Sequence, residues 1–277
     1  MKTWFITGAS RGFGARVAEL ALAKGDNVVA TARRAAAIAE RFGEKPNLLA
    51  APLDVTNEAQ ARTAAALAVE RFGRIDVLLN NAGFGLLGAV EEATAAEVEA
   101  LYRTNVFGVL AVTRAVLPTM RAQRSGRILN ISSIGGYRGG AGFGIYCSTK
   151  FAVEGLSEAL HDELAPLGIR VTVIEPGYFR TDFLDASSLS ASAAGIADYA
   201  GTAGVVRARA AELNHDQPGD PEKLARVLVD FAEAPDPPVR LPLGSDTVAA
   251  IEAKHASDAA ILAKWRAVSL STDFTAS

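Results

Sequence analysis

The chain has 277 residues, of which 49% are hydrophobic and 21% charged, with 25 Gly and 11 Pro, a balance that excludes a disordered, collagen-like or low-complexity protein. Lys+Arg number 28 against 31 Asp+Glu, a net charge of −3 with no block of like charge, so nucleic acid finds no basic stripe to bind. The lone cysteine, Cys147, excludes an intrachain disulfide, and no apolar stretch reaches the ~20 residues of a membrane span. The apolar stretch after Lys2 is too short for an export signal, and the expectation is a cytoplasmic protein with no membrane partner.

Short β-rich runs alternate with longer Ala-rich stretches. Strands are expected over residues 2–7, 27–32, 48–51, 77–80, 127–131, 170–175 and 239–241, whose nearly continuous apolar character implies burial on both faces. Amphipathic helices are expected over 13–24, 58–72, 95–123, 153–167 and 222–232. A repeated β-α-β pattern builds a parallel sheet with right-handed crossovers and helices on both faces. The fold class is therefore α/β, a three-layer doubly wound parallel sheet of about seven strands, in one domain over residues 1–277. Two stretches break the rhythm. Residues 183–217 are rich in Ala, Ser and Gly, with weak helix signals near 198–213, which suits a substrate lid. Residues 245–277 read as a helical extension that caps the sheet or forms a surface between subunits.

The first strand runs into Thr7-Gly8-Ala9-Ser10-Arg11-Gly12-Phe13-Gly14, and a helix follows. A Gly-rich turn at this junction lets backbone approach a pyrophosphate, whose charge meets the free N–H groups and dipole of the helix N-terminus. Further on stand Asn80-Asn81-Ala82-Gly83, Asn105 in the long helix, Ser133 after the fifth strand, Tyr146-Cys147-Ser148-Thr149-Lys150, and Pro176-Gly177 with Thr181 beyond. Singly, each suits an ordinary turn, strand end or helix. In this order and spacing, over residues 1–182, they resemble the short-chain dehydrogenases/reductases of the compact single-domain branch.

The resemblance implies a Rossmann-type fold and an NADP(H)-dependent oxidoreductase that interconverts a ketone or aldehyde and an alcohol. Tyr146 and Lys150, four apart, share a helix face. A phenol of ordinary pKa near 10 needs a neighbouring cation to act as a base, and Lys150 can supply it; by resemblance Lys150 also bonds the nicotinamide ribose. Ser133 would hydrogen-bond the substrate oxygen while its neighbour Ser132 points elsewhere, and Asn105 would hold a water linking Lys150 to solvent. For the cofactor, the resemblance assigns Gly8, Ser10, Arg11, Gly12, Phe13 and Gly14 to the pyrophosphate turn and Asp54 with Val55 to the adenine. It places Asn81, Ala82 and Gly83 along the dinucleotide, with Asn81 also fixing the sheet. Pro176, Gly177, Phe179 and Thr181 fall beside the nicotinamide, Gly177 allowing close backbone approach and the Thr181 hydroxyl meeting the carboxamide or diphosphate.

The end of the second strand bears on which dinucleotide binds. Folds that prefer NAD place an acid there to bind the ribose 2′-hydroxyl, whereas this chain has Ala32 followed by Arg33 and Arg34. Arg33 and Arg11 would clamp a 2′-phosphate, and Arg34 reads as the start of a solvated helix. Cys147 is expected to face away from Tyr146 as inert packing. His161, His215 and His255 lack metal-ligand spacing, so no metal is expected. Phe143, Tyr178, Phe179, Phe183 and Leu184 fall near the expected pocket mouth and favour an apolar substrate over a sugar, although core positions would read the same way. Two rival readings are a non-catalytic dinucleotide-binding regulator, which usually lacks the Tyr or Lys, and an epimerase or dehydratase, which suits a longer chain. Homodimers or homotetramers through helices 95–123 and 146–164 are implied by the resemblance.

Overall fold

Strands that are apolar on both faces must be stacked side by side and covered by helices. In the computed structural model, which describes residues 1–192 and 194–274, the chain opens with β1 (Thr3–Thr7), α1 (Gly12–Ala23), β2 (Asn27–Ala32), α2 (Ala36–Phe42), β3 (Leu48–Pro52), α3 (Glu58–Phe72) and β4 (Val77–Asn80). It continues through β5 (Gly85–Leu87), α4 (Ala95–Tyr102), α5 (Gly108–Gln123), β6 (Gly126–Ile131), α6 (Gly144–Leu164) and β7 (Ile169–Pro176). The last elements are β8 (Leu189–Ala191), α7 (Val205–Leu213), α8 (Pro221–Phe231), β9 (Arg240–Leu243) and α9 (Ser245–Leu270). Seven strands form one parallel sheet in the order β3-β2-β1-β4-β6-β7-β9, while β5 pairs with β8 in a separate ribbon. Strand order reverses between β1 and β4, and such a switch point opens a crevice outside the carboxyl ends of the strands.

Alternation along the strands divides the core in two. Trp4 and Ile6 of β1 face the layer of α1 and α8, where they pack with Val17, Leu224 and Leu228. Phe5, between them, faces the other layer with Ala64, Leu78, Val112 and Ile128. Each Val, Leu, Ile or Phe among them, fully buried, stabilises the fold by about 1.5–3 kcal/mol. The sheet contains all seven expected strands, each within two residues of its expected ends.

The helices depart further from expectation. The helix expected over residues 95–123 is broken into α4 and α5 by a π-helical turn, Arg103–Phe107, whose wider coil accommodates the buried Asn105. α6 begins at Gly144, two residues before the start at 146 implied by the resemblance and nine before the 153 given by the apolar pattern, because Gly, Tyr, Ser and Thr in its first turns have weak helix propensity. α2 has a single buried residue, Ile38, and so lacks an apolar period to reveal it. Residues 183–217 carry elements of their own, namely 3-10 turns at Asp182–Leu184 and Ala197–Tyr199, β8, a π-helical turn at Ala200–Gly204, and α7; Ala193 lies outside the described residues. The expected extension is one helix, α9, with Thr247 buried and every described residue from His255 onward exposed. Residues 275–277 of that extension lie outside the described residues. Among the described residues no helix is long and apolar enough to cross a membrane.

Two glycines test the packing in opposite directions. A Cβ on Gly14 would lie 2.6 Å from both Asn81 Nδ2 and the Gly8 carbonyl oxygen, whereas one on Gly155 in α6 meets nothing within 4 Å. Gly14→Ala should lower the unfolding free energy by about 1–3 kcal/mol, and Gly155→Ala should raise it by about 0.4–1 kcal/mol. Urea unfolding midpoints measure both; a Gly14→Ala protein as stable as wild type would refute this packing of the turn.

Candidate active site

The site begins where β1 ends. Gly8 and Gly12, with φ of 65° and 56°, take conformations that other residues rarely adopt and so lead the chain into α1. The Thr7 hydroxyl accepts from the Asn81 and Ala82 N–H groups at 2.9 and 3.0 Å, and the Asn81 amide donates to the Thr7 and Gly8 carbonyls at 3.0 and 3.1 Å. These bonds fasten the turn to the end of β4. Arg11, the N-cap of α1, supplies no side-chain cap, and no acid stands in the first turn. The free N–H groups and positive helix end are therefore available to an anion. A glycine turn in which Gly8 and Gly14 leave no room for a Cβ, over an uncapped helix end, fits the pyrophosphate of a dinucleotide.

A cleft of about 750 Å³ opens above this turn. Its walls include Gly8, Ser10, Arg11, Gly12 and Phe13 from the turn, Arg33 after β2, Asp54 and Val55 after β3, and Asn81, Ala82 and Gly83 after β4. Ser133, Tyr146 and Lys150 line it as well, as do Pro176, Gly177, Phe179 and Thr181. Gly14 lies beneath the turn, and Asn105 stands behind Gly83. Arg33 is exposed. Asp54 accepts from the N–H and hydroxyl of Thr56 at 2.9 and 2.8 Å, which fixes its carboxylate at the cleft wall.

Tyr146 is 7% exposed, between the rings of Phe143 and Phe183 at centroid distances of 6.0 and 5.6 Å. Burial pushes its phenol pKa up, and a hydrogen bond from Ser133 works the other way. Ser133 also accepts from the Gly135 N–H at 3.1 Å. Lys150 Nζ lies 5.7 Å from the Tyr146 ring centroid and donates to the Ile131 carbonyl at 2.9 Å. Burial lowers its ammonium pKa to about 8, against the pull of Glu154. Phe143, Tyr178, Phe179, Phe183 and Leu184 all line the cleft.

Several expected contacts are placed differently. Asn105 accepts from the Phe84 N–H at 3.1 Å and donates to the Phe84 carbonyl at 2.9 Å and the Thr149 hydroxyl at 3.2 Å. It clamps those groups, and it meets Lys150 only across Gly83, where a Cβ would lie 3.1 Å from Asn105 Oδ1 and 3.8 Å from Lys150 Nζ. The space that Gly177 leaves is filled by the Asp246 carboxylate, 2.2 Å from a Cβ placed there, which accepts from the Tyr178 N–H at 2.8 Å. That glycine accordingly makes room for a side chain of α9. The Thr181 hydroxyl accepts from the Phe183 N–H at 3.3 Å while Thr181 lines the cleft. Arg11 spans the cleft mouth, donating to the Ser187 hydroxyl and carbonyl at 2.6 and 2.7 Å, and is not free beside Arg33. Cys147, expected to face away, lines the cleft with its sulfur against Gly135, because α6 begins early enough for its first turn to roof the site; burial raises its thiol pKa. The three histidines are spread over the molecule, His161 on the Val171 carbonyl, His215 on Asp185 and His255 on Tyr137. Among the described residues no cluster could hold a metal.

Behind Lys150 lies a charged layer that sequence reasoning missed. Glu154, one helical turn on, is buried with Glu175, and Arg240 Nη1 bridges the two carboxylates at 2.6 and 2.7 Å while Nη2 reaches Glu158 at 2.9 Å. Burial pushes the Glu154 carboxyl pKa above its usual range and Glu175 adds to this, while Ser132 and Arg240 oppose it. The four-residue spacing from Lys150 was the only local signal, since Arg240 is 86 residues away along the chain.

A family model described as short chain dehydrogenase matches residues 2–191. A 3-ketodihydrosphingosine reductase of Bacteroides thetaiotaomicron is 40% identical over 240 residues, 86% of this chain and 86% of the relative. The crystal structure of a short-chain dehydrogenase from Streptomyces avermitilis superposes with a TM-score of 0.90 at 41% identity, covering 99% of this chain and 100% of that one. ElxO with NADP bound gives a TM-score of 0.74 at 26% identity, covering 90% of this chain and 99% of its own.

Because burial lowers the Lys150 pKa, the ammonium is charged below about pH 8 and neutral above it. Carbon-13 NMR of the lysine ε-positions, assigned with Lys150→Arg, should show that midpoint, and Glu154→Gln should move it lower by removing the group that raises it. An unperturbed lysine midpoint near 10.4 would refute the burial.

Proposed function

The chain belongs to the short-chain dehydrogenase family, and from that premise we propose that it interconverts an apolar ketone or aldehyde and its alcohol with NADP(H). The observation that carries the reading is the convergence of Ser133, Tyr146 and Lys150 on one wall of a cleft whose floor is a glycine turn fitted to a pyrophosphate. When bound, the dinucleotide supplies or accepts the hydride. In the reductive direction Ser133 donates a hydrogen bond to the substrate oxygen, and the Tyr146 hydroxyl gives that oxygen its proton as charge develops there. The Lys150 ammonium stabilises the resulting phenolate until solvent restores the proton, and Asn105, clamping the Phe84 backbone and Thr149, positions the chain beside it. Phe143 and Phe183 hold the Tyr146 ring and exclude water, so the hydrogen bonds act at low dielectric.

Support for an apolar substrate comes from the aromatic and aliphatic side chains around Tyr146 and from the relative whose name is that of a keto reductase. NADP is favoured over NAD by the absence of an acid at Ala32 and by the exposed Arg33 at the cleft edge, with Arg11 joining when it releases Ser187. The same reading makes the protein a cytoplasmic homodimer or homotetramer through α5 and α6, beside which Phe107 and Phe151 are exposed.

Tyr146→Phe should lower kcat by about 10²–10⁴-fold with NADP binding intact, and Lys150→Ala should impair both. Stopped-flow turnover with the best substrate from a carbonyl panel, beside calorimetric binding, checks this; a Tyr146→Phe enzyme keeping a tenth of wild-type kcat would remove Tyr146 as the proton donor.

For the coenzyme, loss of Arg33 should weaken NADPH by about 10- to 150-fold and leave NADH nearly unchanged. Ala32→Asp with Arg33→Ala should invert the preference. Equal kcat/KM for NADPH and NADH in the wild type would show that Arg33 reads no phosphate.

A further inference from the structure

The charged layer behind Lys150 has three carboxyl groups around one guanidinium. Glu154 and Glu175 are buried and share Arg240 Nη1 at 2.6 and 2.7 Å, while Glu158, half exposed, takes Nη2 at 2.9 Å. The Tyr137 ring covers the same guanidinium at a centroid distance of 5.3 Å. Lys150, Glu154 and Glu158 follow one another at four-residue spacing along one face of α6, which leads from the cleft wall to the surface. Arg240 balances one buried carboxylate and the Lys150 ammonium the other, so loss of the Lys150 proton leaves a buried negative charge uncompensated. Among the described residues two buried atoms beside this layer make no hydrogen bond, Glu154 Oε1 and Ser132 Oγ. Both border the space that Gly136 leaves, 2.7 and 2.4 Å from a Cβ placed there. Ser132 adjoins Ile131, whose carbonyl accepts from Lys150 Nζ at 2.9 Å. Buried polar atoms are rarely left idle, and a hydroxyl, which both donates and accepts, can pass a proton between an acid and a base.

We propose that Glu154, acting through the Ser132 hydroxyl, returns a proton to Lys150 after each reduction; the proposal rests on the dehydrogenase reading above. The Tyr146 hydroxyl gives its proton to the substrate oxygen, and the phenolate regains one from the Lys150 ammonium. The Lys150 nitrogen, now neutral, takes the Ser132 hydroxyl proton as the Ser132 oxygen takes that of the Glu154 carboxyl. An N–H bond forms on Lys150, the O–H bond of Glu154 breaks, and Ser132 ends as it began. Glu154 is left a carboxylate between Arg240 and the recharged Lys150, and takes its next proton from solvent on the Glu158 side. One solvent proton enters for each alcohol formed, and the hydride is the only reductant. Burial moves the two end groups toward each other, pushing the Glu154 carboxyl up and the Lys150 ammonium down, so that little free energy separates them. Asn105 offers no such route, because it meets Lys150 only across Gly83 and spends its amide on Phe84 and Thr149.

The test is stopped-flow oxidation of NADPH by the best substrate from the carbonyl panel, in H₂O and D₂O, well below the Lys150 midpoint of about pH 8. The first turnover draws on protons already held by Tyr146 and Lys150, and only later turnovers need the relay. Glu154→Gln, whose amide carries no acid proton, should therefore show a burst of one coenzyme per site within about twofold of the wild-type rate, followed by turnovers about tenfold or more slower. D₂O should slow those later turnovers more than it slows wild type. Ser132→Ala, which removes one small hydroxyl, should behave in the same way and decides the matter if Glu154→Gln does not fold. Later turnovers at the wild-type rate in either variant would overturn the proposal. A first turnover slowed as much as the later ones would also overturn it, since the residue would then only place Lys150. Slow later turnovers without a larger D₂O effect would overturn it as well, assigning the change to product release. Wild-type protein that oxidises NADPH with no carbonyl would overturn the dehydrogenase reading itself, so the two failures are distinguishable.

Discussion

A lysine ammonium held 6% exposed at the carboxyl end of a parallel sheet is the constraint on which the candidate site depends. A pKa near 8 in place of 10.5 corresponds to about 3 kcal/mol of folding stability forgone at neutral pH. That penalty is present in full below pH 8 and vanishes only above the unfolded value. The charge is tolerated because the Ile131 carbonyl accepts from it at 2.9 Å, and that carbonyl is fixed at the end of β6, between β4 and β7. A loop carbonyl could move away; one at the end of a central strand is held by its neighbours.

The rest of the site follows from where strands end. Parallel pairing aligns β1, β4 and β6 so that Thr7, Asn81 and Ser133 emerge at the same edge of the sheet. Asn81 then spends its amide on the backbone of the glycine turn, which makes the turn rigid before any ligand arrives. Preorganisation of this kind spares ordering at the moment of binding. The π-helical turn between α4 and α5 has a comparable place in the fold, because it coincides with the inward-facing Asn105 that secures the backbone at Phe84.

Behind the candidate site, Glu154, Glu175 and Arg240 bind the C-terminal part of the chain to the cleft wall. Two buried carboxyls sharing one guanidinium leave Glu154 with a raised pKa, so its charge, and through it the field at Lys150, depends on Arg240 of β9. Arg240 also lies 5.3 Å from the centroid of the Tyr137 ring, and Tyr137 meets His255 of α9. Asp246 of the same helix fills the space left by Gly177 and fixes the loop after β7. The C-terminal third, which carried no motif of its own, thereby supports both sides of the cleft.

The amino-acid sequence determined what is local. Continuous apolar runs specified the seven strands because burial on both faces leaves no other pattern, and the residues at their ends marked the cleft because loops after parallel strands must converge there. The spacing of Tyr146 and Lys150 placed both on one helix face. What tertiary structure alone decided is which polar groups are already spent and which are left over. Arg11 turned to Ser187, Thr181 to the Phe183 N–H, and Gly177 made room for Asp246, while Gln217 has no partner among the described residues. None of these outcomes has a sequence pattern, because each depends on residues brought together by packing from distant parts of the chain; a hydrogen bond forms at about 3 Å in space, whatever the separation in sequence.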